Sequence, residues 1–288
     1  MSTGYIHTFS AEEQARLVAQ ASFLEPYIFP TIDFSGCKRV LEVGCGVGAE
    51  LQILHRRFPK AHLTGLDFSE AQLAKARELL RPELAAGAVE LQQGSAYELP
   101  FGDASFDGVC LIWVLEHLID PVRALREARR VLRPGGVLAV TEVFNTSLLV
   151  EPPCPAIAKY WRAFDELQRR LGGAPDAGAE LDALASQAGF VEIQLHSLHV
   201  RMDARMTDPT RREEFISYWR TLALSGAEQL QARGMVKPAQ VDAMQAEFNS
   251  LAGHLTAIYD YTARQVQARN PAAKDLSTGA RSDPITKQ

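Results

Sequence analysis

Residues 40–48 are Val-Leu-Glu-Val-Gly-Cys-Gly-Val-Gly, a short apolar run that ends in three glycines at every second position. The apolar run predicts a buried strand, and residues 49–58 behind it carry apolar side chains at helical spacing. Glycines between a strand and a helix allow a sharp bend and let a ligand approach the backbone. The pattern predicts a ligand-binding turn, although an ordinary strand-to-helix connection would show the same glycines.

Strands and helices alternate on either side of this turn. Strands are predicted over residues 39–43, 62–66, 89–92, 106–113, 137–143 and 191–196. Helices are predicted over residues 49–58, 70–80 and 121–132, and the last two follow the capping residues Ser69 and Asp120. Alternation of this kind predicts an α/β fold whose sheet is parallel, with right-handed crossovers.

Two segments interrupt the alternation, and they divide the chain into five predicted parts. Residues 10–29 form an amphipathic helical stretch, and residues 203–254 are helical by pattern before a late strand at 257–266. The predicted parts are an N-terminal helical lid (1–34), a ligand-binding core (35–200), a helical insertion that caps the substrate (201–256), a final core strand (257–269) and a mobile tail (270–288). The helical pattern of the insertion would also be expected if these residues only enlarged the hydrophobic core.

Composition excludes several classes of protein. The chain has 288 residues, of which 47% are apolar, and no apolar run is long enough for a membrane helix. Its net charge of −5 gives no overall attraction to nucleic acid. The four cysteines form no C-x-x-C pair and lack metal-ligand spacing, and the first residues show no secretory signal. We therefore expect reduced thiols, no metal, no membrane partner and a cytoplasmic protein.

A carboxylate follows the second predicted strand. Asp67 comes about 20 residues after the glycine turn, where a carboxylate can accept hydrogen bonds from both hydroxyls of a ribose. Taken alone, Asp67 fits an N-cap equally well. Together with the turn, it predicts an adenosine-containing cofactor at the carboxyl ends of parallel strands. A dinucleotide fingerprint requires Gly-x-Gly-x-x-Gly, whereas here the third glycine, Gly48, comes one residue early.

Five motifs follow one another in a fixed order: VLEVGCGVG at 40–48, TGLDFS at 64–69, LPFGDASFD at 99–107, VLEHL at 114–118 and RVLRPGGVL at 130–138. In order and spacing they resemble the class I S-adenosylmethionine-dependent methyltransferases, in particular the bacterial group that acts on small molecules and natural products. The resemblance implies a Rossmann-like, doubly wound sheet of seven strands, mostly parallel, with an antiparallel last strand. It also implies S-adenosyl-L-methionine as cofactor, S-adenosyl-L-homocysteine as product and a small-molecule acceptor.

The resemblance also assigns cofactor contacts to individual residues. Gly44 and Gly46, on either side of Cys45, would let the methionine part pass, and Glu42 would lie near its amino group. Asp67 would hold the ribose. The other implied contacts are Phe68 beside the adenine, Ser95 and Ala96 after the third strand, Trp113 at the end of the fourth, and Tyr5 and Gln20 in the N-terminal lid. Ser95 stands where many relatives carry an acidic residue, and its hydroxyl would bind more weakly.

Methyl transfer requires a nucleophile aligned with the methyl group and the sulfur, and it requires the exclusion of water. A hydroxyl or protonated amine acceptor also needs a base. His117 follows the fourth strand and is the first candidate base, because imidazole suits proton transfer near neutral pH. Glu142 follows the fifth strand and is the second catalytic candidate, and Asn145 also has a position from which it can face the substrate. Glu116 is interpreted as an exposed charge.

Aromatic and basic side chains outside the motifs have two interpretations. The aromatic groups are Tyr160, Trp161 and Phe164, and Phe215, Tyr218 and Trp219. Their helical spacing is more typical of core than of a pocket, and in a pocket they would favour a flat or hydrophobic acceptor. The basic cluster comprises Arg201, Arg205, Arg211 and Arg212. It fits an anion site but is more typical of a solvated helix face.

The acceptor atom stays open between oxygen, nitrogen and carbon, because one fold supports all three reactions. Alternatives are an enzyme that uses S-adenosylmethionine in another way and a non-catalytic protein that retains the fold. A nicotinamide-dependent oxidoreductase is disfavoured by the glycine spacing and by the RPGG motif. The amphipathic N-terminal helix can pack on its own chain or on a second copy, so a homo-oligomer is also open.

Overall fold

Eight strands form one sheet in this computed structural model, which describes residues 10–272. They are β1 (Arg39–Val43), β2 (His62–Asp67), β3 (Val89–Gln93), β4 (Phe106–Ile112), β5 (Leu132–Glu142), β6 (Leu149–Glu151), β7 (Val191–Met202) and β8 (Ile258–Arg269). Strands β3, β2, β1, β4 and β5 are parallel neighbours in that order, and β8 runs antiparallel to β5. β7 pairs antiparallel with the other side of β8.

This strand order confirms the Rossmann-like, doubly wound α/β sheet with an antiparallel last strand. The expected number of seven strands is one too few, because Leu149–Glu151 forms the short additional strand β6. β6 pairs with β8 just beyond the residues of β8 that pair with β5. A strand of three residues is too short to show a periodic pattern, so the sequence gives no sign of it.

Ten α-helices surround the sheet within the described residues. They are α1 (Ala11–Ile28), α2 (Ala49–Arg57), α3 (Glu70–Leu79), α4 (Arg81–Ala85), α5 (Pro121–Val131), α6 (Pro155–Arg170), α7 (Leu181–Gln187), α8 (Pro209–Ser225), α9 (Ala227–Ala232) and α10 (Pro238–Gly253). The predicted caps are confirmed, because Ser69 accepts a hydrogen bond from the Gln72 amide and Asp120 accepts one from the Arg123 amide. None of these helices is both long enough and apolar enough to cross a lipid bilayer.

Only β1 has the bounds predicted for it, and the differences in β4, β5 and β7 have clear causes. β4 ends at Ile112 because Trp113 has a φ of 58°, which lies outside the extended region. β5 begins early, at Leu132, because Leu132 pairs with Phe106 ahead of an irregularity in the register. β7 continues to Met202 because β8 provides a pairing partner along most of its length. The tertiary pairing of strands therefore sets these bounds.

A helical layer covers the carboxyl ends of the parallel strands. α6, α8 and α10 pack against one another, and α1 packs beside α2 and α8. The layer is larger than the predicted insertion at 201–256, because α6 belongs to the range predicted as core. Trp219 lies 5.1 Å from Tyr259 between the ring centres, and Phe248 lies 6.1 Å from the same ring. The first nine residues of the predicted lid and residues 273–288 of the predicted tail lie outside the described residues.

Candidate active site

A cavity of about 390 Å³ opens at the carboxyl ends of β1, β2 and β4. The glycine turn after β1 and the ends of β2 and β4 form one part of its lining. α1 contributes Arg16, Leu17 and Gln20, whereas α6 and α8 contribute aromatic side chains. In an open, doubly wound sheet, ligands bind in the crevice outside the carboxyl ends of the strands, so the cavity lies where the fold class predicts a binding site.

Asp67 fixes the glycine turn against the start of α3. Its Oδ2 accepts a hydrogen bond from the Gly46 amide at 2.9 Å, and its Oδ1 accepts one from the Ser69 amide at 2.8 Å. Burial raises the pKa of Asp67, and these two hydrogen bonds oppose the rise. Gly46 has a φ of +51°, and a Cβ placed there would meet no atom within 4 Å. The turn is thus held by a carboxylate, while Gly46 faces open space at the cavity.

Most of the residues predicted to contact the cofactor line this cavity. They are Gln20, Gly44, Cys45, Gly46, Asp67, Phe68, Ser95, Ala96 and Trp113. Glu42 is buried in β1 and does not reach the lining. Burial, followed by the neighbouring carboxyls of Glu50 and Asp67, raises the pKa of Glu42 well above its usual range. Tyr5 lies outside the described residues.

Two charged residues that the sequence analysis missed lie in the same half of the cavity. Burial raises the pKa of Glu50, in the first turn of α2, to about 7, and Arg16 of α1 opposes that rise. The only sequence indication for Glu50 was its place directly after the glycine turn, and for Arg16 its place one turn before Gln20 on the same helix. The carboxyl groups of Glu50 and Asp67 can pair with a positively charged group of a ligand that lies at the glycine turn.

The other half of the cavity is lined by aromatic side chains from α6, α8 and β8. They are Trp161, Phe164, Tyr218, Trp219 and Tyr261. Trp161 and Phe164 are stacked, with ring centres 5.7 Å apart and planes inclined by 8°. The interpretation of the aromatic groups as core is right for Tyr160 and Phe215, which are buried outside the lining. The remaining members form an apolar wall, in which the parallel rings of Trp161 and Phe164 suit a planar acceptor.

Polar side chains line the cavity beyond the end of β4. His117 is one of them, and its Nε2 lies 3.7 Å from Oε1 of Glu116. Glu116 also lines the cavity and is only 8% exposed, so its interpretation as an exposed charge is wrong. Asn145 donates to Asp165 and accepts a hydrogen bond from the Tyr261 hydroxyl. These groups can hydrogen bond a polar atom on an otherwise apolar acceptor.

Glu142, the second catalytic candidate, does not line the cavity. It is fully buried at the end of β5, and its Oε1 accepts hydrogen bonds from the amides of Val114 and Leu115 at 2.9 and 2.6 Å. Burial is the main reason that its pKa is raised to about 8, and the nearby Glu116 adds to the rise. Glu142 therefore holds the loop that carries Glu116 and His117, and its position does not support contact with the acceptor.

Glu142→Gln should flatten the pH dependence of folding stability. Because burial raises the pKa of Glu142 in the folded state, its contribution to stability is fully present below the unfolded value of 4.5 and is lost as the pH rises to about 8. Glutamine retains the Oε1 acceptor but cannot ionise. Chemical denaturation between pH values of about 5 and about 8 measures the slope. Glu166→Gln, on the exposed face of α6, should keep the wild-type slope, and the same slope in Glu142→Gln would contradict the assignment.

The arginine cluster is not an anion site. Arg212, interpreted as part of a solvated face, is fully buried, and its guanidinium donates to four backbone carbonyl groups. They belong to Asp203, Met206, Ala252 and His254. Arg201 and Arg205 are both paired with the carboxylate of Asp203, Arg201 is also paired with Asp260, and Arg211 is exposed. The cluster therefore stabilises the helical layer.

The strand order and the cavity at the glycine turn define the class I S-adenosylmethionine-dependent methyltransferases. Residues 41–140 match the family described as a methyltransferase domain. The chain is 34% identical to the O-methyltransferase cnsE of Penicillium expansum over 68% of each protein, and 32% identical to the O-methyltransferase resE of Aspergillus sclerotiorum over 65% of this chain and 67% of that protein. The chain therefore belongs to this methyltransferase family.

The similarity extends to solved structures at the level of the fold. The cyclase SpnF superimposes with a TM-score of 0.53 over 89% of this chain and 82% of that one, at 22% sequence identity. The family relationship makes this chain an enzyme that uses S-adenosyl-L-methionine to methylate a small molecule. The site fits that cofactor, because the carboxyl groups of Glu50 and Asp67 can pair with its positively charged groups and Gly46 leaves room beside the turn.

Proposed function

We propose that this enzyme methylates a hydroxyl group on a planar aromatic small molecule. The observation that carries the proposal is one continuous cavity, with the acidic glycine turn in one half and the stacked side chains of Trp161 and Phe164 in the other. An aromatic wall favours a flat acceptor, because such rings gain both apolar contact and stacking. The names of the O-methyltransferase relatives support oxygen as the acceptor atom.

The cofactor would occupy the half of the cavity around the glycine turn. Gly44 and Gly46 would let the methionine part pass, Asp67 would accept hydrogen bonds from the ribose, and Phe68, which is 53% exposed, would cover the adenine. The remaining proposed contacts are Gln20, Cys45, Ser95, Ala96 and Trp113. Tyr5 keeps its predicted role as a lid residue.

The contact with the cofactor's amino group is better assigned to Glu50 than to Glu42. Glu50 lines the cavity, whereas Glu42 is buried in β1 and is not among the residues that line it. A bound ammonium group would favour the ionised form of Glu50, whose pKa is raised to about 7 mainly by burial.

Positioning is the main contribution of this chain to the reaction. S-adenosylmethionine supplies, when bound, a methyl group that is already activated by a positively charged sulfur. Leu17 and Leu24 of α1 close one side of the cavity, and the aromatic side chains close another, so water is kept from the acceptor. Alignment of two reactants is worth about 7–11 kcal/mol in favourable cases, and a base adds a factor of about 10²–10⁴ for a hydroxyl acceptor.

His117→Ala is expected to lower turnover about 100-fold or more while changing the affinity for S-adenosylhomocysteine by less than about threefold. The reason is that His117 lines the cavity beside Glu116, where an imidazole can take part in moving the acceptor proton. Steady-state kinetics and calorimetric titration measure the two effects separately. His199→Ala, exposed on β7, is the control and should match the wild type. Unchanged turnover in His117→Ala would remove this residue from the mechanism.

Product analysis by mass spectrometry tests the proposal as a whole. The enzyme and S-adenosylmethionine are offered planar phenols, quinones and aromatic amines of similar size. A methyl ether formed from the phenols supports the proposal, and a product methylated only on carbon or nitrogen overturns the choice of oxygen. Binding of S-adenosylhomocysteine with no methylated product from any acceptor would favour an enzyme that uses the cofactor in another way.

The cytoplasmic location and the division of the chain into five parts stay predictions. Self-association through α1 stays an open alternative. Self-association is the most direct to measure, because light scattering gives the mass in solution. α1 packs on α2 and α8 of its own chain. A monomer at all concentrations would leave α1 with that intramolecular role alone.

A further inference from the structure

We propose that Glu116 is a catalytic residue that takes the proton from the acceptor hydroxyl. Gln168 is its positioning residue, and His117 carries the proton on to solvent. This inference rests on the proposed O-methyltransferase function and assigns a role that the sequence gave to neither Glu116 nor Gln168. It follows from the position, the anchoring and the surroundings of one buried carboxyl group.

Glu116 is the carboxyl group on the acceptor side of the cavity. The carboxyl side chains among the described lining residues are Glu50, Asp67 and Glu116. Asp67 accepts a hydrogen bond from the Gly46 amide, and Glu50 is the second residue of α2, which starts after the glycine turn, so both belong to the cofactor half. Glu116 is instead bonded to Gln168 of α6, the helix that supplies the stacked aromatic pair. An acceptor lying on that wall therefore has Glu116 as its neighbouring carboxylate.

One oxygen of Glu116 is anchored and the other is available. Nε2 of Gln168, which is buried, donates a hydrogen bond to Oε2. The backbone of Glu116 is fixed as well, because its carbonyl accepts a hydrogen bond from the Ala174 amide at 2.7 Å. No hydrogen bond from residues 10–272 reaches Oε1, and the 3.7 Å to Nε2 of His117 exceeds hydrogen-bond distance. Oε1 can therefore accept from a bound hydroxyl.

Charged and titratable groups from several elements surround Glu116. They are Arg16 of α1, the adjacent His117, Glu142 of β5, Asp165 of α6 and Tyr261 of β8. Burial is the largest influence and raises the pKa of Glu116 to about 7, whereas the bond from Gln168 and the charge of Arg16 oppose the rise. A base with a pKa near the working pH is ionised often enough to accept a proton and basic enough to keep it.

The step balances without a further reactant. The acceptor O–H bond breaks, its proton goes to Oε1 of Glu116, and the oxygen forms the new bond to the methyl carbon. The bond between methyl and sulfur breaks with its electron pair on sulfur, so the donor leaves as a neutral thioether and the carboxylate becomes neutral. His117 is the adjacent titratable side chain and the more exposed of the two, at 18% against 10% for Glu116, so it passes the proton on to solvent.

Glu116→Gln removes the base and leaves an amide oxygen that can still accept the hydrogen bond from Gln168. With unsubstituted phenol as the acceptor, whose hydroxyl ionises near the tyrosine value of about 10 and therefore needs a base at neutral pH, we expect kcat to fall about 100-fold or more and the affinity for S-adenosylhomocysteine to stay within about twofold of wild type. In the wild type, kcat should rise as the pH increases through about 7, because Glu116 ionises there, and this rise should be absent from Glu116→Gln. Glu116→Asp should recover part of the rate. Glu166→Gln, exposed on the same helix as Gln168, should retain the wild-type rate and pH profile.

A measurement without turnover separates proton transfer from a structural role. In the complex with S-adenosylhomocysteine, para-nitrophenol changes its visible absorbance when it ionises, and a neighbouring carboxylate disfavours the phenolate. We expect the pH of half-ionisation of the bound phenol to fall by about 1 in Glu116→Gln and to stay unchanged in Glu166→Gln. An unchanged value in Glu116→Gln, with intact binding of both ligands, overturns the role of Glu116. A wild-type enzyme that binds no phenol overturns the proposed function instead.

Discussion

Gly46→Arg is expected to abolish the binding of S-adenosylhomocysteine. A Cβ at this position meets no atom within 4 Å, so the new side chain enters the cavity and leaves the core undisturbed. Its guanidinium would pair with the acidic half of the cavity around Glu50 and Asp67 and fill the space proposed for the cofactor. We expect the affinity to fall at least about 100-fold, which corresponds to about 2.7 kcal/mol. Isothermal titration with S-adenosylhomocysteine measures the loss.

Gly87→Arg is the matched control for this prediction. Gly87 has a φ of +66° and, like Gly46, open space in the direction of a Cβ, but it lies in an exposed turn between α4 and β3. Both variants place an arginine on left-handed backbone, which costs about 1–2 kcal/mol, so their thermal stabilities should fall together. Only Gly46→Arg should lose the ligand. Wild-type affinity in Gly46→Arg would show that the glycine turn is not the cofactor site.

Arg212→Met is expected to cause the largest loss of stability. The Arg212 guanidinium is fully buried and donates to four backbone carbonyl oxygens that tie the start of α8 to the loop after β7 and to the end of α10. Methionine fills similar volume but leaves those carbonyl groups buried without a donor, and each unsatisfied group costs about 1–3 kcal/mol. We expect the free energy of unfolding to fall by about 3–5 kcal/mol.

Arg211→Met provides the comparison on the same helix. Arg211 is exposed, so its replacement should change the free energy of unfolding by no more than about 0.5 kcal/mol. Chemical denaturation followed by tryptophan fluorescence suits both variants, because Trp219 is buried in α8. A small effect in Arg212→Met, close to that of Arg211→Met, would mean that water replaces the guanidinium at these carbonyl groups.

The order of strands and helices was predictable because local patterns carry it. β4 is covered on both faces, and its residues 109–112 therefore form a continuous apolar run. Ser69 and Asp120 mark the starts of α3 and α5 because a short polar side chain can bond a free amide of the first turn. β6 and the inclusion of α6 in the helical layer had no such local mark, because both depend on contacts with distant segments.

The candidate site likewise contains residues that local patterns predict and residues whose positions depend on distant contacts. Gly46 and Asp67 were predictable because a strand that ends in a glycine turn fixes where its neighbours point. Glu142 was predicted to face the substrate, and Glu116 was interpreted as an exposed charge. In the structure, Glu142 accepts hydrogen bonds from two loop amides and Glu116 lines the cavity. The short 3₁₀ turn Leu115–His117 has no pattern that distinguishes an inward from an outward side chain, and the last residue of a strand can face either side of the sheet.

The amino-acid sequence by itself determined the α/β fold, the glycine turn, the carboxylate after β2 and the methyltransferase family. These features depend on residues close together in the chain, where spacing alone fixes backbone geometry. Only the tertiary structure decided that α1, α6 and α8 enclose the aromatic half of the cavity, that Arg212 is a buried support of the helical layer, and that Glu116 faces the cavity. Those outcomes depend on packing between elements that are not adjacent in the chain, as between Glu116 and Gln168, where each side chain takes the orientation that buries apolar surface and satisfies its polar atoms.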